Sequence, residues 1–393
     1  MKTCRRLCII TDGFPEEGFP VNSFLEQLVF AFVDQGIACD VVSPNTPVFN
    51  RLKKIPYHPK AHSVRTTKQG NTFDLYCPAF FSLMGRKRFG INFLKLYQKS
   101  FYRATMRWLR RANKPYDALY AHFITPSALT AAKIGRKTGT PVFFAYGDSS
   151  FDEIRNIFPV DTLREQLKTV RGVIAVSSKN RSELVDHHVI EADKIEVFLN
   201  AIDRSTFYVT DRSAARKALG IDPDAFVVCF VGHFNHRKGS CRVSQAIDRL
   251  DGVKSMFIGA GGEAPDCDGI LFSGRLPHDK IVTYLNAADA FVLPTLAEGC
   301  CNAIIEAMAC GLPIISSDLP FNDDILDASN SIRINPNSIE DIAGAIGLLQ
   351  HSPETRRQLS QGALRSAQAL TIDKRAENIL AFMNRRCAES PGA

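Results

Sequence analysis

The chain has 393 residues, 45% hydrophobic and 23% charged, which is long for one domain and typical of two with ordinary cores. No apolar run approaches the roughly 20 residues that cross a bilayer, and MKTCRRLCIITDGF is too short an apolar stretch for a signal peptide, so a cytoplasmic protein is expected. The eleven cysteines are scattered without a C-x-x-C pair and read as reduced structural residues, which excludes a disulfide framework and a zinc site.

Short β-branched runs alternate with longer helical stretches, which predicts parallel α/β sheets. Strands are expected at LCIIT, ACDVVS, ALYAHF, PVFFAY, VIAVS and KIEVFL, then at FVVCFVG, SMFIG, ILFSG, AFVLPT, PIISS and SIRI. The polar, strandless stretch from Asn200 to Gly220 divides them into two sheets and places the boundary near Asp203 to Arg212, with domains 1–205 and 206–375. RAENILAFMNRRC reads as a final helix within the C-terminal segment 376–393. Ligands of open α/β sheets bind beyond the carboxyl ends of the strands, so with two such domains the expected site is the cleft between them.

Charge is unevenly spread. Between Arg51 and Pro115 sixteen Lys or Arg stand against one acid, Asp74, a balance of +15 that leaves the remainder near −8. Within it, Arg86, Lys87, Arg88, Lys95, Lys99, Arg103, Arg107, Arg110 and Arg111 alternate with aromatic residues at spacings that suit an amphipathic helix. Such a surface favours anionic lipid headgroups, the alternative being a solvated basic face over a core stripe. No nucleic-acid-binding signature accompanies it, and no nucleic-acid partner is expected.

The stretch EGCCNAIIEAMACGLPIISSD, Glu298 to Asp318, holds a carboxylate in an apolar setting. From Asn302 to Gly311 the residues are apolar all round the helical wheel except Glu306, whose ionised form is costly without a hydrogen-bonding partner, and nothing local supplies one. Asn302 is the expected N-cap, Gly311 the residue just past the helix and Pro313 the stop. The helix N-terminus, preceded by Glu298 and Gly299, is a ready phosphate site, and the two glutamates suit hydroxyl groups.

Two glutamates separated by seven residues, preceded by the strand AFVLPT and followed by EAMACGLPIISSD, resemble the donor-binding element of retaining glycosyltransferases of the GT4 type. Their GT-B fold is α/β, with two Rossmann-like doubly wound parallel-sheet domains facing across a cleft. The resemblance implies a metal-independent enzyme without a cofactor. It would move a sugar from a nucleoside-diphosphate-sugar donor to a hydroxyl of a lipid-linked or envelope glycan acceptor, in the cytoplasm or peripherally on the inner face of the plasma membrane. It also implies that the final helix crosses back to the first domain.

Residue by residue, VGHFNHRKGS matches the family's strand and Lys-Gly pair at Lys238 and Gly239, with His233 where an arginine is expected and Arg237 as a neighbouring substitute. Gly274, Arg275 and Leu276 match the loop that meets the nucleotide base, which leaves the choice among bases open. Gly299, Cys300 and Cys301 join Glu306 as donor-binding residues, and Gly18, or Asn22 in its place, matches the diphosphate turn of the first domain. His122 in YAHFITPSAL matches a histidine close to the transferred sugar and, with Glu298, is the implied catalytic residue. Tyr146 stands where the family has histidine before Gly147 and Asp148, and Asn200-Ala201-Ile202-Asp203 where it has Asn-Gly-Val-Asp. GAGG at Gly259 to Gly262 lacks the spacing of a dinucleotide loop. The rival readings are a hydrolase or epimerase acting on a nucleotide sugar and a non-catalytic sugar-nucleotide-binding subunit.

Overall fold

The computed structural model describes residues 3–16, 21–55, 57–82 and 93–389. The chain forms two compact units, one of Met1–Phe198 with Asp373–Ala393, the other of Leu199–Ile372. The division thus falls at the start of the polar stretch, a few residues before the boundary expected near Asp203 to Arg212, because Asn200 and Ile202 are tied into the second unit: Asn200 Nδ2 donates to Cys300 O at 2.9 Å, and Ile202 N–H to Leu370 O at 3.0 Å. Gly311 follows the expected pattern past its helix, with φ 77°. No helix of the described residues is long and apolar enough to cross a membrane.

The first unit carries β1 (Arg6–Ile10), β2 (Ala38–Val42), β3 (His62–Thr66), β4 (Thr72–Tyr76), β5 (Ala118–His122), β6 (Val142–Tyr146), β7 (Gly172–Ala175) and β8 (Ile195–Val197) in one sheet, ordered β3-β4-β2-β1-β5-β6-β7-β8. Its central strands are buried on both faces, as continuous apolar runs such as VFFAY require. β3 and β4 are absent from the expected strands. They form an antiparallel edge hairpin around Gly70, in which a polar face alternates with Phe73 and Leu75, so no continuous apolar run announces it.

Helix Phe93–Ala112 lies in the basic stretch; Arg86, Lys87 and Arg88 fall outside the described residues. One face buries Phe101, Tyr102, Ala104 and Thr105, while Tyr97, Met106, Trp108 and Leu109 pack against the core of this unit. Lys95, Lys99, Arg103, Arg107, Arg110 and Arg111 are exposed, and their spacing of three to four residues aligns most of them along one stripe.

The second unit carries β9 (Phe226–Val231), β10 (Val253–Ile258), β11 (Ile270–Gly274), β12 (Ala290–Leu293), β13 (Ile314–Ser317) and β14 (Ser331–Ile334), ordered β11-β10-β9-β12-β13-β14 and parallel throughout. The GAGG glycines have a packing role: a Cβ on Gly259 would lie 1.8 Å from Gly232 O, and one on Gly261 2.0 Å from Phe234 O. Only glycine permits these loops to meet.

Candidate active site

From β9 the second sheet grows outward through β10 and β11, and from β12 through β13 and β14. The segments leaving the carboxyl ends of these two neighbours therefore diverge, and a crevice is expected at such a reversal of strand order. After β9 come residues 232–239; after β12, residues 294–301. The two loops are bonded to each other, Leu296 N–H to Arg237 O at 2.8 Å, and Arg242, on the helix that follows the first loop, donates from Nη2 to Pro294 O at 2.8 Å.

Glu298 is the hub. Its Oε1 accepts from Thr295 Oγ1 at 2.7 Å and Arg237 Nη1 at 2.8 Å, and pairs with Lys238 Nζ at 2.6 Å. At 8% exposure this carboxylate requires such partners. Burial presses the Lys238 ammonium down, but the neighbouring Cys301 and the charge and hydrogen bond of Glu298 outweigh it and hold the group above its ordinary value. The backbone is fastened too: Ser317 Oγ donates to Thr295 O at 2.6 Å, Lys238 N–H to Asn235 Oδ1 at 2.9 Å.

The same loop runs into helix Asn302–Ala309, but its N-cap is Cys301 rather than Asn302, and the cap makes no side-chain bond. Asn302 Oδ1 is buried without a partner among the described residues. Gly299, Cys300 and Cys301 are buried, and burial pushes the Cys301 thiol up despite Lys238, so it is not poised as a nucleophile.

Glu306 is 8% exposed, and the polar partner that the neighbouring sequence lacks is His278, whose Nε2 lies 2.9 Å from Glu306 Oε1. The histidine stands 28 residues earlier in the chain and only the folded chain brings it close. It also packs edge-on against Phe207, centroids 5.0 Å apart.

Other expected residues stand at strand ends. His233 and Arg275 are exposed and Leu276 is half-buried. Gly274 closes β11, its carbonyl accepting from Gly259 N–H at 2.8 Å. Gly18 lies outside the described residues; Asn22 caps helix Ser23–Asp34 in the left-handed conformation, φ 52°, and its Nδ2 donates to Gly13 O at 3.0 Å.

In the first unit, His122 ends β5 at 2% exposure, with Nδ1 unpartnered among the described residues and the Phe24 and Phe123 rings at 5.0 and 4.6 Å. Burial, reinforced by the Arg375 guanidinium, pushes its pKa down to about 3, so the ring is neutral at physiological pH. Phe123 beside it takes φ 64° and ψ 158°, a backbone conformation nearly restricted to glycine that costs about 1–3 kcal/mol and is concentrated at functional sites. Tyr146 donates its hydroxyl to Glu183 Oε2 at 3.0 Å, which gives it a structural bond. Asp148 after β6 is pushed up to about 7, by burial first and then by the Asp12 carboxylate.

Comparison with known proteins decides the family. Residues 21–206 match the family model Glycosyltransferase Family 4, and residues 211–365 match Glycosyl transferases group 1, together spanning most of the chain. The chain is a GT4-type glycosyltransferase.

This GT4 enzyme is 25% identical over 277 residues to TuaC of Bacillus subtilis, a glycosyltransferase named for teichuronic acid biosynthesis; the match covers 68% of this chain and 69% of TuaC. It is 27% identical over 231 residues to the D-inositol 3-phosphate glycosyltransferase of Acidothermus cellulolyticus, covering 53% of this chain and 51% of that relative, about half its length. Its fold matches sucrose-phosphate synthase from Thermosynechococcus elongatus with a TM-score of 0.76 at 18% identity, over 98% of this chain and 100% of that one. Anabaena HepE, solved with UDP, gives 0.73 at 15%, over 97% and 100%. At these identities the likeness is one of fold, GT-B.

Within the GT4 enzyme, sequence reasoning missed Thr295 and His278. Thr295 looked like the last residue of a strand, and its hydroxyl could be assigned only once Glu298 was seen turning back onto it. His278 lay in a segment read for its backbone alone.

Proposed function

We propose that the enzyme transfers a sugar, with retention and without a metal ion, from a nucleoside-diphosphate-sugar donor to a hydroxyl of a lipid-linked or envelope glycan acceptor. The observation that carries the donor reading is the convergence of Arg237, Lys238 and Thr295 on Glu298, at the N-terminus of the helix that bears Glu306. Lys238, Arg237 and the free amides of that helix neutralise the charge that develops on a departing diphosphate. Glu306 accepts hydrogen bonds from ribose hydroxyls. Glu298 holds the two cations in place and orients the sugar, with the leaving phosphate taking the acceptor's proton. His122, buried and neutral, can exchange hydrogen bonds with a sugar hydroxyl without supplying charge. The structures of HepE with UDP and with UDP-glucose support a nucleotide-sugar donor, and TuaC supports a role in making a glycan polymer.

For the acceptor, the basic stripe of helix Phe93–Ala112 supports docking on an anionic membrane. Exposed Val48, Leu52, Val64, Phe81 and Leu96 occupy the same part of the chain, and each basic residue near a charged bilayer contributes about 1 kcal/mol. Turnover of UDP-, GDP- and ADP-sugars, with and without lipid-linked acceptors, tests the reading. Transfer requiring one donor class and a lipid-linked acceptor is expected; donor hydrolysis without transfer, or no turnover of any donor, overturns it.

A further inference from the structure

We infer that His278 is a positioning residue for Glu306, holding its carboxylate where it accepts the hydroxyl groups of a bound nucleoside diphosphate. The inference rests on the donor reading of Glu306 given above.

Glu306 stands among apolar neighbours on its own helix, and its side chain has three rotatable bonds, so nothing on that helix sets the direction of the carboxylate. His278 sets it from outside through the 2.9 Å contact between Nε2 and Oε1. The imidazole is itself anchored. It opens the short turn His278–Lys280 directly after Pro277, and its ring packs edge-on against Phe207, 1% exposed, with centroids 5.0 Å apart. A carboxylate has about four lone-pair sites, so one bond to His278 leaves capacity for two ligand hydroxyls. Burial presses the imidazole pKa down, but the hydrogen bond and charge of Glu306, with Asp279, outweigh it and hold the ring above its ordinary value.

The test uses the full chain and five variants: His278→Leu, His278→Gln, His278→Asn, Glu306→Ala and the double variant His278→Leu/Glu306→Ala. UDP, GDP and ADP are titrated calorimetrically, and donor KM and kcat are measured with the sugar of whichever nucleotide the wild type binds. His278→Leu should raise Kd and donor KM by about tenfold or more while kcat changes little, the loss of one charge-assisted hydrogen bond. His278→Gln, which keeps an N–H donor of similar reach, should recover most of that loss, and His278→Asn, too short to reach, should not. In the Glu306→Ala background, His278→Leu should cost nothing further, since there is no carboxylate left to position. Full additivity of the two losses, or wild-type Kd in a folded His278→Leu or His278→Asn variant, overturns the inference and leaves the donor reading standing. If the wild type binds none of the three nucleotides, the donor reading and the inference fall together.

Discussion

Replacing Lys238 by alanine separates the phosphate-binding role proposed for the Glu298 cluster from any role in holding the fold. The ammonium lies 2.6 Å from Glu298 Oε1 with 13% of its side chain exposed, so it is a largely desolvated cation near the N-terminus of helix Asn302–Ala309. In Lys238→Ala the carboxylate keeps Arg237 at 2.8 Å and Thr295 at 2.7 Å. The fold should therefore survive with a loss of about 1–3 kcal/mol, far less than a buried charge stripped of every partner. Binding should suffer differently. A hydrogen bond to a charged group contributes about 1.5–3 kcal/mol, which at about 1.4 kcal/mol per tenfold predicts roughly 10- to 150-fold weaker binding of the nucleoside diphosphate. The bare nucleoside lacks the phosphates and should bind as it does to the wild type. Calorimetric titration of both ligands, with thermal melts as the fold control, gives the comparison. Equal losses for nucleoside and diphosphate would remove Lys238 from the phosphate site and refute the placement of the diphosphate between the β9 and β12 loops.

Glu298→Gln removes the charge that now competes with phosphate for Arg237 and Lys238; nucleoside diphosphate affinity should hold or rise while transfer falls, and a parallel loss of both in binding and single-turnover assays would refute the two-role reading. His122 titrates in the opposite direction to a partnered surface histidine: its folded pKa, about 3, lies below the ordinary 6.5, so its contribution is intact above pH 6.5 and is lost as pH falls toward 3. Across that window the loss is about 1.4 kcal/mol per pH unit, so urea denaturation of His122→Gln should show a shallower decline of stability between pH 6 and pH 4 than the wild type; parallel curves would mean that the ring is solvated. Vesicles containing phosphatidylglycerol should co-sediment the enzyme at low salt and release it near 1 M, where the Debye length falls to about 3 Å, with binding lost when Lys99, Arg103, Arg107, Arg110 and Arg111 are neutralised. Indifference to anionic vesicles would leave the stripe as a solvated face and favour a soluble acceptor.

The chain's β-branched runs were sufficient to place every buried parallel strand of both sheets, because a strand covered on both faces must be apolar throughout and so is visible at any single position. The spacing of Glu298 and Glu306 and the Lys238-Gly239 pair were likewise legible, since loops that follow strands keep their chemistry within a few residues. The edge hairpin β3–β4 escaped because half of its residues face water and its polar positions matched the surrounding basic stretch. What only the tertiary structure decided was partnership. Thr295 and the cations of the β9 loop meet on Glu298 because β9 and β12 are neighbours in the sheet although some sixty residues separate their loops along the chain. His278, which follows the edge strand β11, reaches Glu306 across 28 residues of chain, and His122 is neutral because the folded core buries it, with Arg375, on a helix at the far end of the chain, adding to the effect. Local patterning records which groups must be buried; the identity of the groups that satisfy them is set by which segments the folded chain brings together, and that information is non-local.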